Sequence, residues 1–139
     1  MDTLLFIANI LVLITLSGLH FYWLFGGRRA VHAVVPTDSN GRLLFKPGKA
    51  STLIVASGLL LFAFVNADFA NWIDTGIRQG SLRYSMIIVG LIFLLRAIGD
   101  FKYLGITKRY KQTAFALTDA RIYTPLCIAL AFTHLFLAF

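Results

Sequence analysis

Four long runs of apolar residues, separated by charged connectors, dominate the chain. The first runs from Thr3 to Gly27 (TLLFIANILVLITLSGLHFYWLFGG) without a charge. At ~1.5 Å per helical residue it is long enough to cross a hydrocarbon core of ~30 Å. The second, Ala50 to Ala67, is bounded by Lys49 and Asp68, and the fourth, Ile122 to Phe139, follows Asp119 and Arg121. The third holds only about a dozen uncharged residues (YSMIIVGLIFLL) between Arg83 and Arg96, roughly 18 Å of helix. A span needs about twenty residues, so at least one of these arginines must lie at or inside the edge of the apolar slab. The pattern predicts an all-α integral membrane four-helix bundle. It forms one domain over residues 1–139, with spans at about 3–27, 50–67, 82–100 and 118–138.

Composition supports this reading. With 58% hydrophobic and 14% charged residues, the chain has too few polar groups to cover a soluble protein of this size. The net charge of +7 raises nucleic acid as a partner. The basic residues sit in connectors with no interleaved aromatic surface, so no nucleic-acid binding is expected. The charge reads instead as topology and affinity for anionic membrane lipid. The first connector carries Arg28, Arg29, Arg42, Lys46 and Lys49, and the third Lys102, Lys108, Arg109 and Lys111; the middle one has only Arg78 and Arg83. The positive-inside rule makes the first and third connectors cytoplasmic and both termini periplasmic. Asp2 stands where a signal peptide would be basic, and no small-residue cleavage site follows, so the first run is expected to stay as a span. In the first connector, VHAVVP and RLLFKPG flank Asp38-Ser39-Asn40-Gly41, a tight-turn sequence that predicts a short hairpin.

This orientation brings polar residues of all four helices to the inner level. His20, Tyr22 and Trp23 lie near the end of the first helix, Ser51 and Thr52 begin the second, Arg96 and Asp100 end the third, and Asp119, Arg121 and Tyr123 begin the fourth. Helical side chains lean toward the helix N-terminus. Arg83 can therefore snorkel outward, while Arg96 leans back into the slab and needs a partner. Asp100, at i,i+4, and Asp119 are the candidate acids. Thr118 is placed to cap the fourth helix. The simplest reading is a clasp in which these charges lock helices together; the sharper one is a ligand site at the same ring. His20 has the bland reading of a hydrogen bond to a neighbouring helix, Tyr22 and Trp23 of interfacial aromatics, Gly26-Gly27 of a helix end, and His32 of a solvated side chain. Pro125 either frees a carbonyl near Arg121 or marks the first turn.

Familiar catalytic patterns are missing. Cys127 is the sole cysteine, there is no glutamate, and the aspartates are dispersed. No P-loop, GxSxG, HExxH or EF-hand sequence occurs, and neither a metal nor a cofactor is expected. A haem between His20 and His134 is disfavoured, because they lie roughly 10 and 20 Å from the inner ends of their helices.

Several segments carry a resemblance: HFYWLFGGR at 20–28, VVPT at 34–37, FKPG at 45–48, LRAIGDFKYLGI at 95–106 and TAFALTDARIYTPLC at 113–127. Together they resemble a family of small bacterial membrane proteins catalogued as domain-of-unknown-function 3995. The motif positions fall on His20, Tyr22, Trp23, Gly26, Gly27, Arg96, Gly99, Asp100, Asp119, Tyr123, Pro125 and Cys127. The resemblance implies a four-span membrane protein and brings no activity or catalytic residue; the expected architecture is a compact antiparallel bundle in the bacterial inner membrane. The leading expectation is a binder of a lipid-like or amphipathic small molecule, its anionic head near Arg96. The rivals are a small transporter or proton path through His20, Asp100 and Asp119, an enzyme on a lipid or isoprenoid, and an accessory subunit without a ligand. Enzymatic activity is the less favoured expectation, since no complete nucleophile or metal constellation is visible.

Overall fold

The computed structural model describes residues 2–27, 29, 35–36, 38, 40, 42–44 and 48–139. Its helices are α1 (Asp2–Leu24), α2 (Lys49–Phe69), α3 (Gln79–Ile98), α4 (Ala114–Thr118) and α5 (Thr124–Ala138), with a π-helical turn, Asp119–Tyr123, joining the last two. The stretch Ala114–Ala138 is thus one continuous helical rod, and among the described residues four helices are long and apolar enough to cross a membrane. Their outer faces are apolar and exposed, as at Leu4, Leu11, Ile54, Leu61, Ile88, Leu95 and Phe132. In water such surfaces would drive aggregation; in lipid they carry no hydrophobic cost, and each helix satisfies its own backbone hydrogen bonds. The chain is an all-helical, multi-pass membrane protein.

The span edges shift from those expected. α1 stops at Leu24, because Gly26 turns left-handed at φ +97° and Gly26 and Gly27 donate back to Trp23 O (3.1 Å) and Tyr22 O (2.9 Å). A Cβ on Gly27 would lie 2.3 Å from the Tyr22 ring, so this aromatic is seated on the turn that ends its own helix. The final rod begins at Ala114, not at 118: the cap is Thr113, whose hydroxyl accepts from Ala116 N–H at 3.0 Å. Thr118, expected as that cap, is inside the rod and donates to Ala114 O.

The first connector shows part of the expected hairpin. Leu44 N–H donates to Pro36 O (3.0 Å) and Asp38 N–H to Arg42 O (2.9 Å). Asp38 Oδ1 accepts from the N–H of Asn40 (2.9 Å) and of Arg42 (2.8 Å), the Asx geometry that closes a turn. Ser39 and Gly41 of the expected turn, and His32, lie outside the described residues.

The chain forms two compact units. The first comprises Met1–Gly27, Gly48–Gly90 and Phe132–Phe139, the second Arg28–Pro47 and Leu91–Ala131. In the first, the pairs Ser17–Ala56, Asn9–Asn66 and Phe6–Phe69 follow opposite orders along α1 and α2, so these helices are antiparallel. Phe6, Met86 and Ala138 form one buried cluster with Val65 and Phe69 packed on it. All four spans contribute to that cluster, which brings Phe6, near the start of α1, together with Ala138 at the end of α5. Small and polar side chains hold the helices where apolar burial cannot. Ser17 donates to Ala56 O at 2.7 Å, and both residues are buried.

A further buried network joins α1, α2 and α5. Asn66 donates to Phe62 O (2.8 Å) and bonds His134 Nε2 (3.0 Å); Asn9 donates to Asn66 Oδ1 (3.4 Å), and Thr133 donates to Asn9 Oδ1 (2.8 Å). Since Asn66 Nδ2 is a donor, His134 accepts at Nε2 and carries its proton on Nδ1. His134 is thereby a member of a buried hydrogen-bond network.

Candidate functional site

The second unit is organised by a chain reversal after α3. Gly99 ends the helix at φ +90°, donating to Leu95 O at 2.9 Å. Asp100 then accepts three backbone N–H groups on one oxygen, from Lys102 (3.0 Å), Tyr103 (2.6 Å) and Leu104 (2.8 Å). Burial pushes its carboxyl up, but the backbone donors together outweigh it and hold Asp100 below the ordinary value of 3.8. Gly105, at φ +74°, turns the chain back onto α3, so that Ile106 N–H reaches Ala97 O (2.9 Å) and Thr107 Oγ1 reaches Ile98 O (2.6 Å). Both glycines are required by contact as well as conformation. A Cβ on Gly99 would meet Leu104 O at 1.8 Å, and one on Gly105 would meet Ala97 O at 2.5 Å. The returning segment thus supplies partners for the carbonyls that the end of α3 leaves open.

This reversal carries Lys108 inward. Its ammonium lies 2.9 Å from Asp119 Oδ2 and donates also to Gly105 O at 3.2 Å. Asp119 is fully buried (0% exposed) and Lys108 nearly so (6%). Arg96 Nη2 binds the other oxygen of Asp119 at 2.8 Å, while Gly105 N–H (2.9 Å) and Thr124 Oγ1 (3.2 Å) complete the carboxylate's shell. The π turn seats Asp119 there. Pro125 has no N–H to return to Arg121 O and its ring crowds that carbonyl, so the α pattern is broken at this point. Thr124 N–H donates to Asp119 O instead, the wider i→i+5 bond.

The expected ion pair of Arg96 is therefore made with Asp119. Asp100, the other expected partner, is spent on the backbone of the reversal, and among the described residues the ion pairs are Arg96–Asp119 and Lys108–Asp119. Two cations face one buried anion. Arg96 keeps a further nitrogen, Nη1, buried and without a hydrogen-bond partner among the described residues. Arg96 also lines a pocket of about 540 Å³, with Asp100, Tyr103, Leu104, Phe115 and Leu44 among its other walls. A second pocket, about 310 Å³, borders Lys108, Lys111 and Thr124.

The other residues singled out in the sequence are placed as follows. Arg121 is exposed, and Tyr123 is half-buried with its ring centroid 6.4 Å from that of Phe115. His20, Tyr22 and Trp23 belong to the first unit. His20 donates from Nδ1 to Leu16 O in its own helix (2.7 Å), not to a neighbouring one, and its ring meets Trp23 edge-on at 5.2 Å. Lys108 was missed as a site residue, as were Tyr103, Leu104 and Phe115. The one available signal was the pair Gly99 and Gly105 bracketing a short connector, which marks a chain reversal. Among the described residues no three His, Cys, Asp or Glu side chains gather as a metal site would require.

No curated protein and no solved structure matches the chain. A family model described as "Protein of unknown function (DUF3995)" matches residues 13–134, from within α1 to within α5, and takes in the reversal, the Arg96–Asp119–Lys108 cluster and the π turn. The chain belongs to this family.

Proposed function

We propose that this protein binds an amphipathic anion in the larger pocket, its head on Arg96 and its apolar part against Leu44, Leu104 and Phe115. The observation that carries this reading is that Arg96, whose Nη1 is buried without a partner among the described residues, lines a pocket with mainly apolar walls. Leaving a charged donor buried and unsatisfied costs free energy, and a ligand anion would remove that cost. The charge balance points the same way, since Asp119 supplies one negative charge against Arg96 and Lys108. The volume suits a small ligand, such pockets usually measuring ~300–1,000 Å³. Asp100 on the same wall disfavours a multiply charged head, so a carboxylate fits better than a phosphate monoester. In this reading the protein sits in the bacterial inner membrane with the pocket at its cytoplasmic level and both termini periplasmic, as the basic connectors favour.

The test compares two probes with the same tail. Laurate and dodecanol are titrated into the protein in neutral detergent. Laurate is expected to bind about tenfold more tightly, the worth of one charge-assisted hydrogen bond. Arg96→Gln should erase that preference while leaving dodecanol unchanged. Equal affinities for the two probes in the unmodified protein would refute the proposal.

A further inference from the structure

We propose that the smaller pocket, beside Lys108 and Lys111, is a second anion site and takes a phosphate group. An ammonium has three N–H donors. Lys108 uses two of them, on Asp119 Oδ2 and Gly105 O, and the third has no partner among the described residues. The Asp119 oxygen it touches already accepts from Gly105 N–H and Thr124 Oγ1 as well, so it has no capacity left for that donor. Lys111, on the same wall, is exposed and adds a second positive charge. Ala116 and Ala120, which line the same pocket, are small and take up little of its space.

The chemistry differs from that of the larger pocket in one decisive respect. Among the described residues no acidic side chain lines this pocket, whereas Asp100 lines the other. Lys108 is paired with Asp119 but keeps a third donor, and Lys111 has no ion-pair partner among the described residues, so the two suit a further anionic group, and compact ammonium charges are common phosphate ligands. The phosphate can come free from solution or on a lipid head from the surrounding leaflet, since both present the same oxygens. The inference stands on Lys108 and Lys111 and does not rest on a ligand at Arg96.

The experiment has two arms, both on the full chain. In the first, inorganic phosphate is titrated against protein in neutral detergent, at fixed ionic strength set with chloride, and thermal unfolding is followed. In the second, the protein is placed in phosphatidylcholine nanodiscs doped with phosphatidate, and retained phosphatidate is counted by native mass spectrometry. Lys111→Ala is the main variant, because an exposed side chain is removed without touching the buried cluster. It should weaken binding about tenfold in whichever arm responds, and Lys111→Glu should abolish it. A response in the first arm assigns free phosphate; a response in the second alone assigns the lipid head. Absence of a response in both arms overturns the proposal. So does a response that falls with Arg96→Gln but not with Lys111→Ala, which would belong to the larger pocket.

Discussion

Asp119 accepts hydrogen bonds from Arg96, Lys108, Gly105 and Thr124, and it does so fully buried. Removing one partner of such a cluster costs more than the pair contributes, because a desolvated charge is left behind. Asp119→Asn leaves two cations facing a neutral amide and should cost about 3–5 kcal/mol. Arg96→Leu should cost less, since the Arg96 side chain is 31% exposed and Asp119 keeps Lys108. Thermal unfolding in detergent should therefore rank Asp119→Asn below Arg96→Leu, and the opposite order would mean that the cluster is not held by the carboxylate. Asp100 makes a separate prediction about pH. Its folded-state pKa is depressed, so its contribution is fully present above the ordinary value of 3.8 and is lost as pH falls through the folded value. Amide exchange at Lys102, Tyr103 and Leu104, corrected for intrinsic rates, should accelerate only in that acid range. Asp100→Asn should remove the step; an unchanged acid profile in the variant would assign it to another group.

How far these residues were legible depended on what the membrane dictates. Arg96 was legible because an arginine leaning into an apolar slab must find an acid. Lys108 was not, because a lysine in a basic connector reads as topology and its burial depends on a reversal with no hydrophobic period. Asn9 was hidden for a related reason. One amide inside a long apolar run gives no depth partner until the antiparallel pairing of α1 and α2 sets it beside Asn66.

At the scale of elements, the spans were readable because lipid forces each into a long apolar run, and their ends were misread where backbone chemistry decides. The last rod begins at Ala114, capped by Thr113 ahead of its apolar run, and the π turn within it follows from Pro125. The reversal after α3 rests on Gly99 and Gly105. At Gly105 an alanine meets both a disfavoured φ of +74° and the Ala97 carbonyl at 2.5 Å. Gly105→Ala should lower stability by at least about 1–3 kcal/mol, the cost of strained backbone, and should release Lys108 from Asp119. Protection of Lys108 from amine-reactive labelling reports this directly. Labelling as slow as in the unmodified protein would show that Lys108 is held inward without the turn.

For the whole molecule, the decisive quantity is orientation. Four spans lead to the expectation that both termini share a side of the membrane, and Phe6 near the start of α1 and Ala138 at the end of α5 join one cluster in the first unit. The excess of Lys and Arg on the connectors after α1 and α3 predicts that this side is periplasmic. A periplasm-active reporter fused after Phe139 should be active, and a reporter active only in the cytoplasm should be silent. The reverse pattern would place the Arg96 pocket at the outer face.

The claim that the Arg96 pocket holds an amphipathic anion is tested most directly by native mass spectrometry of protein extracted from its own membrane in mild neutral detergent. A retained adduct of small amphipathic mass is expected, one that fragments as an anion and disappears in Arg96→Gln but is kept in Lys111→Ala. A bare protein mass under conditions that preserve other lipid adducts, or an adduct that persists in Arg96→Gln, would contradict it.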